Sequence, residues 1–179
     1  MILDAAIELL LGGGARDVTA TRVAEKTGVA RTTIYRHWPD QPSLLLATVD
    51  LLVAPHAVAA HSGDLHVDLT TALSRLRNRL ETRQVRPVFA ALLDYAARDE
   101  AFVAAQRRFI EGMMQPTIDV LSDAKRRGEL PATIDCSVAA NVLTSPLFQQ
   151  FLLLQKTIED DLIDEVIAQF MQSRLRAAP

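Results

Sequence analysis

Between Arg31 and His37 the chain reads Arg-Thr-Thr-Ile-Tyr-Arg-His, six hydrogen-bonding side chains around one isoleucine. Arg31 and Arg36 offer guanidinium forks that fit a base edge or a phosphate two bonds at a time. Thr32, Thr33 and Tyr35 add hydroxyls that give or take a bond, and His37 adds a ring nitrogen pair. On a helix Ile34 and Trp38 share one face, which leaves the polar residues on the others. A short helix with this surface suits the major groove of duplex DNA, where base edges and phosphates present the matching acceptors and donors.

The residues before this stretch have the form needed to hold it. Residues 20–27 are predicted to form a helix with Val23, Ala24 and Thr27 inward, and the Thr19 hydroxyl is placed to cap its first turn. Gly28 stands where a helix C-terminus takes a left-handed residue, and Val29 follows as a hydrophobic plug. Two helices joined by such a turn form a helix-turn-helix, with the second helix, 31–37, as the one that enters a groove. From Arg16 to Trp38 five cations (Arg16, Arg22, Lys26, Arg31, Arg36) stand against two anions, Asp17 and Glu25. The whole chain carries a net charge of −3, so its basic character is local.

The run VAEKTGVARTTIYRHWPDQPSLL resembles the DNA-binding signature of the TetR family of bacterial transcriptional regulators, over about twenty consecutive residues. The resemblance implies an N-terminal helix-turn-helix DNA-binding domain over 1–54 and a C-terminal effector-binding and dimerisation domain over 55–179. It implies a homodimer that binds a palindromic double-stranded operator and releases it when a small hydrophobic effector binds. Arg31, Thr32 and Thr33 are then expected at base edges or nearby phosphates, with Arg36 on the same surface. Tyr35 and His37 are expected to hold the backbone, while Thr19 and Arg22 position the preceding helix. Family members commonly have a lysine where Gln41 stands, used on a phosphate, and a neutral Gln41 weakens that contact. They also often carry a basic arm before the first helix, which here is expected to be short, missing or trimmed.

The rest of the 179 residues reads as helix throughout, with 49% hydrophobic residues and only 5% aromatic. Helical spacing marks 2–11, then 41–54 after a stop at Pro39 and a cap at Asp40, and 65–83. Pro87 opens a helix over 88–97. Asp99 caps a long helix over 100–127 with a kink expected at Gly112 and Pro116, and Asp135 caps one over 136–154. A last helix covers 158–176, for an all-α chain of about nine helices. One cysteine, Cys136, allows no intrachain disulfide and suits a reducing cytoplasm. The apolar runs are too short to span a bilayer and no leader is evident, so a soluble cytoplasmic protein is expected, with no membrane partner.

Other chemistries fit less well. His56, His61 and His66 are spaced by five, which turns successive rings about 140° apart on a helix, so a shared metal site is not expected. No nucleophile elbow, phosphate loop or zinc-helix motif is present, so neither an enzyme nor a cofactor is expected. Arg75, Arg79 and Arg83 line one helix face, as a second DNA contact or, more simply, a solvated surface.

Two apolar groups remain. In a TetR-like fold Phe89, Leu93, Phe109, Met113 and Phe148 lie on helices that enclose an effector cavity, although each also fits plain core. The last two helices carry a broad stripe comprising Leu147, Phe151, Leu154, Leu162, Ile163, Val166, Ile167 and Phe170. With little chain left to cover it, a subunit interface is expected there. A TetR-like architectural factor with no effector is the alternative.

Overall fold

Leucine and alanine at helical spacing form nine α-helices and no strand among residues 1–52, 62–82 and 84–175, which a computed structural model describes. In order they are α1 (Ile2–Gly13), a 3-10 turn (Ala15–Asp17), α2 (Ala20–Thr27), α3 (Arg31–His37), α4 (Gln41–Leu52) and α5 (Leu65–Leu80). There follow α6 (Val85–Ala96), α7 (Glu100–Arg127), α8 (Cys136–Phe148) and α9 (Asp160–Leu175). None of the described helices is long and apolar enough to cross a membrane. The ends expected for α4 and α5, at 53–54 and 83, lie outside the described residues.

The chain divides into two units. The first holds α1 to α4, α6 and the start of α7, up to Ile110. Its α1 packs on α2 and α4, α3 packs on α2, and α6 lies against α1 and the 3-10 turn. Leu10, Val18, Val23, Ile34, Leu45 and Val49 are all fully buried and form its centre. Each such aliphatic side chain contributes about 1.5–3 kcal/mol by leaving water. Pro87 lies inside the first turn of α6 rather than before it, where a missing N–H leaves no hydrogen bond unmade.

The second unit holds α5, the remainder of α7, α8 and α9. The stripe Leu69, Leu73, Leu76 and Leu80 on α5 is buried, and α5, α8 and α9 pack on one another. The helix expected over 136–154 changes form after Phe148, where residues Gln149–Leu153 make a wider π turn. Pro146, inside α8, has no N–H to give to the turn before it, which is the kind of break that admits such a bulge. Gln155 then takes φ 55° and the chain turns toward α9. The Glu81 carboxylate accepts from Ile158 N–H at 3.2 Å, and Arg77 pairs with Asp160, so this connection is tied to the end of α5.

Candidate nucleic-acid interface

The helix-turn-helix is assembled by short-range bonds. Thr19 is extended at φ −125° and its hydroxyl accepts the Arg22 N–H at 3.2 Å, as an N-cap does. Gly28 closes α2 in the left-handed region at φ 73°, its N–H donating to Ala24 C=O at 2.8 Å. The Thr27 hydroxyl donates to Val23 C=O at 2.7 Å and accepts the Val29 N–H at 3.3 Å. Thr27 therefore fastens both sides of the turn, which its inward position alone did not reveal.

On α3 the anchor is Ile34, fully buried, with Trp38 half-buried behind it. Arg31, Thr32, Tyr35, Arg36 and His37 are exposed, Tyr35 at 49%, and Thr33 is half-buried. The polar face predicted for this helix is thus turned to solvent. Of the cations nearby, Arg22 is ion-paired with Asp17, and Lys26 Nζ lies 2.8 Å from Glu8 Oε2. Arg16, Arg31 and Arg36 make no ion pair among the described residues.

Two residues set the entry to α4. Gln41 Nε2 donates to Ala15 C=O at 3.0 Å, which ties the start of α4 to the 3-10 turn that leads into α2. Asp40 caps α4: its carboxylate accepts the Ser43 N–H at 2.8 Å. That backbone bond, helped by the Ser43 hydroxyl, holds the Asp40 carboxyl below its ordinary pKa.

The five effector candidates fall in both units. Phe89 (half-buried), Leu93 (exposed, 46%) and Phe109 (buried) belong to the first, Met113 (buried) and Phe148 (half-buried) to the second. Of the interface candidates, Leu147, Phe151, Ile163, Ile167 and Phe170 are buried inside the single chain. Leu162 and Val166 are half-buried and Leu154 is exposed. The largest exposed apolar side chains of α8 are others, Val138 and Val142, at 59% and 60%. Both stand on a groove of about 380 Å³ whose walls include Ile134, Ala139 and Phe170.

Among the described residues no group of three His, Cys, Asp or Glu is placed to hold a metal ion, and His66 is exposed. His56, His61 and Arg83 lie outside the described residues. Arg75 is exposed, and burial lowers the pKa of the half-buried Arg79 guanidinium.

Residues 2–48 match the family described as bacterial regulatory proteins, tetR family, and residues 59–170 match the tetracyclin repressor-like C-terminal domain. The chain is 24% identical over 167 residues to the HTH-type transcriptional regulator YdeS of Bacillus subtilis, covering 93% of this chain and 84% of that one. It is 25% identical over 171 residues to the DNA-binding transcriptional repressor TetR of Mycobacteroides abscessus, covering 93% and 90%. The fold is shared with the transcriptional regulator FadR from Bacillus subtilis, solved in complex with stearoyl-CoA. There the TM-score is 0.61 at 14% identity, over 94% of this chain and 95% of the other.

Proposed function

We propose that this chain, which belongs to the TetR family of bacterial transcriptional regulators, is a cytoplasmic homodimeric repressor released from a palindromic operator by a small hydrophobic effector. The observation that carries the reading is the α3 surface: Arg31, Thr32, Tyr35, Arg36 and His37 stand in solvent around the buried Ile34. In a helix-turn-helix the second helix lies in the major groove while the first crosses the backbone. Arg31, Thr32 and Thr33 then meet base edges, Tyr35, Arg36 and His37 hold phosphates, and Thr19 with Arg22 sets the pose of α2. DNA binding is the work of residues 1–54, and effector binding and pairing that of 55–179.

Two copies pair through α8 and α9, with Val138, Val142, Leu162 and Val166 as the apolar side chains a partner covers. A row of this kind left in water is a liability, and a second copy is the economical cover for it. Pairing sets two α3 helices about 34 Å, or a multiple of it, apart, which requires a palindrome. For the effector, support comes from the neighbour of the same fold that holds stearoyl-CoA. Such a ligand must bind the DNA-free form better, by about 1.4 kcal/mol for each tenfold loss of operator occupancy.

Footprinting on the DNA upstream of the protein's own gene tests this function. Expected is a salt-sensitive, two-fold symmetric protected site that is lost when long-chain acyl-CoA is added. No protection at low salt removes the operator; protection indifferent to every hydrophobic ligand tried favours the effector-free alternative.

A further inference from the structure

The two helices of the helix-turn-helix treat their cations differently. Both cations of α2 are paired with carboxylates from outside that helix: Arg22 with Asp17 of the 3-10 turn, Lys26 with Glu8 of α1 at 2.8 Å. Both cations of α3, Arg31 and Arg36, are exposed and carry no ion pair among the described residues. The first helix of such a motif crosses the sugar-phosphate backbone and the second enters the groove. Here the charges of the helix that crosses the backbone are cancelled, while those of the helix that enters the groove are free.

Building on the DNA-binding reading above, we propose that Asp17 and Glu8 are affinity-determining residues: intramolecular counter-charges that stand in for DNA phosphates and hold down the grip of α2. Each carboxylate lies within ion-pair distance of its cation, far inside the roughly 8 Å screening length of physiological salt, so an approaching phosphate meets a nearly neutral pair. If Arg22 leaves Asp17 for a phosphate, Asp17 stays beside the DNA as a like charge. In either arrangement α2 with its two partners offers no net positive charge. Exposed ion pairs add little to stability, so holding α2 in place is not reason enough for two of them. Attenuation has a use in a protein that must let go. If every form held any duplex more tightly, the effector-bound form would still occupy the operator.

The test compares the parent with Asp17→Asn and Glu8→Gln on the operator fragment and on a random-sequence duplex of equal length, between 50 and 200 mM salt. Affinity falls with salt at a slope of about 0.9 per phosphate neutralised, so one freed cation per subunit adds up to about 0.9 per subunit to the slope. Each variant is expected to bind both duplexes more tightly, by the same factor, with the steeper slope. Adding Arg22→Gln to Asp17→Asn should return the slope toward the parent value. Unchanged slopes in both acid variants overturn the proposal, as does a double variant that keeps the steeper slope. Weaker binding at an unchanged slope also overturns it, since the acids would then only hold helices in place. The two substitutions lie on different elements, so misfolding of one, seen in its helical circular dichroism, leaves the other as the test. A parent that binds neither duplex sinks the DNA-binding reading itself, whereas a binding parent with indifferent variants sinks only this inference.

Discussion

α3 and α8 each display a row of exposed side chains about one turn apart, and the two rows differ in kind. On α3 it is Arg31, Thr32, Tyr35 and Arg36; on α8 it is Val138 and Val142. The polar row is at ease in water and needs only Ile34 beneath it to stay in place. The apolar row is at ease only when covered. Residues of a polar functional face are therefore distinct in type from the core that carries them, and can be changed without unfolding the chain. Residues of an apolar face are the same types as the core, and packing alone decides which is which.

The largest expected effect comes from confusing the two. Ile167, fully buried among α5, α8 and α9, looks like a seam residue but is part of the chain's own core. Ile167→Ala should lower folding stability by about 2–5 kcal/mol, read from a denaturant melt. A loss under about 1 kcal/mol would return Ile167 to the surface. Val142→Asp, on the exposed row, should do the opposite: helical content stays, but sedimentation falls from twice 19.7 kDa to the single-chain mass and operator binding goes with it. A Val142→Asp chain that stays dimeric would move the seam elsewhere.

On the polar row the changes are smaller and leave the fold alone. Arg31→Ala should weaken operator binding by about 1–3 kcal/mol and relax preference at one base pair, with the melting curve unchanged. Equal losses on operator and random duplex would make Arg31 a phosphate contact instead. Thr19→Ala removes the bond to Arg22 N–H and should cost about 1 kcal/mol of stability, the usual value of a lost N-cap. A change in DNA binding beyond that loss would show that the Thr19 hydroxyl itself touches the backbone.

The same contrast explains what could be read in advance. The bounds of α2 and α3 follow from rules that act within four residues: a hydroxyl cap at Thr19, a left-handed glycine at position 28, one aliphatic residue per turn. The exposed face of α3 needs no more than that. The stripe on α9 is equally visible, but whether a partner or the chain's own helices cover it is a long-range matter: α5 and α8 both pack on α9, and Ile163, Ile167 and Phe170 are buried. The pairing of Arg22 with Asp17 and of Lys26 with Glu8 is hidden for a related reason. Pairing of long side chains between elements has no period in the sequence. A helix over 136–154 follows from spacing alone, whereas its change to a π turn at Gln149–Leu153, just past Pro146, depends on how that turn can still bond.

The smallest effect expected is a dependence on pH, and it belongs to the first unit. Asp40 accepts the Ser43 N–H at 2.8 Å, an interaction the charged carboxylate makes better than the neutral acid, and its pKa is lowered from 3.8 in consequence. The unfolded chain lacks this bond, so the folded form holds the proton more weakly than the unfolded one. The sign follows from linkage: the contribution is fully present above the unfolded pKa and is lost as pH falls through the folded one, in the range below 3.8. Asn caps a helix about as well as Asp but does not titrate there. The difference in melting temperature between the parent and Asp40→Asn should therefore hold steady from pH 7 to about pH 5 and shift against the parent below pH 4. Other carboxylates titrate in both chains and cancel in the difference. A difference that stays constant down to pH 2 would mean that the cap at α4 works without its charge, and that Ser43 serves Asp40 only as it would serve an amide.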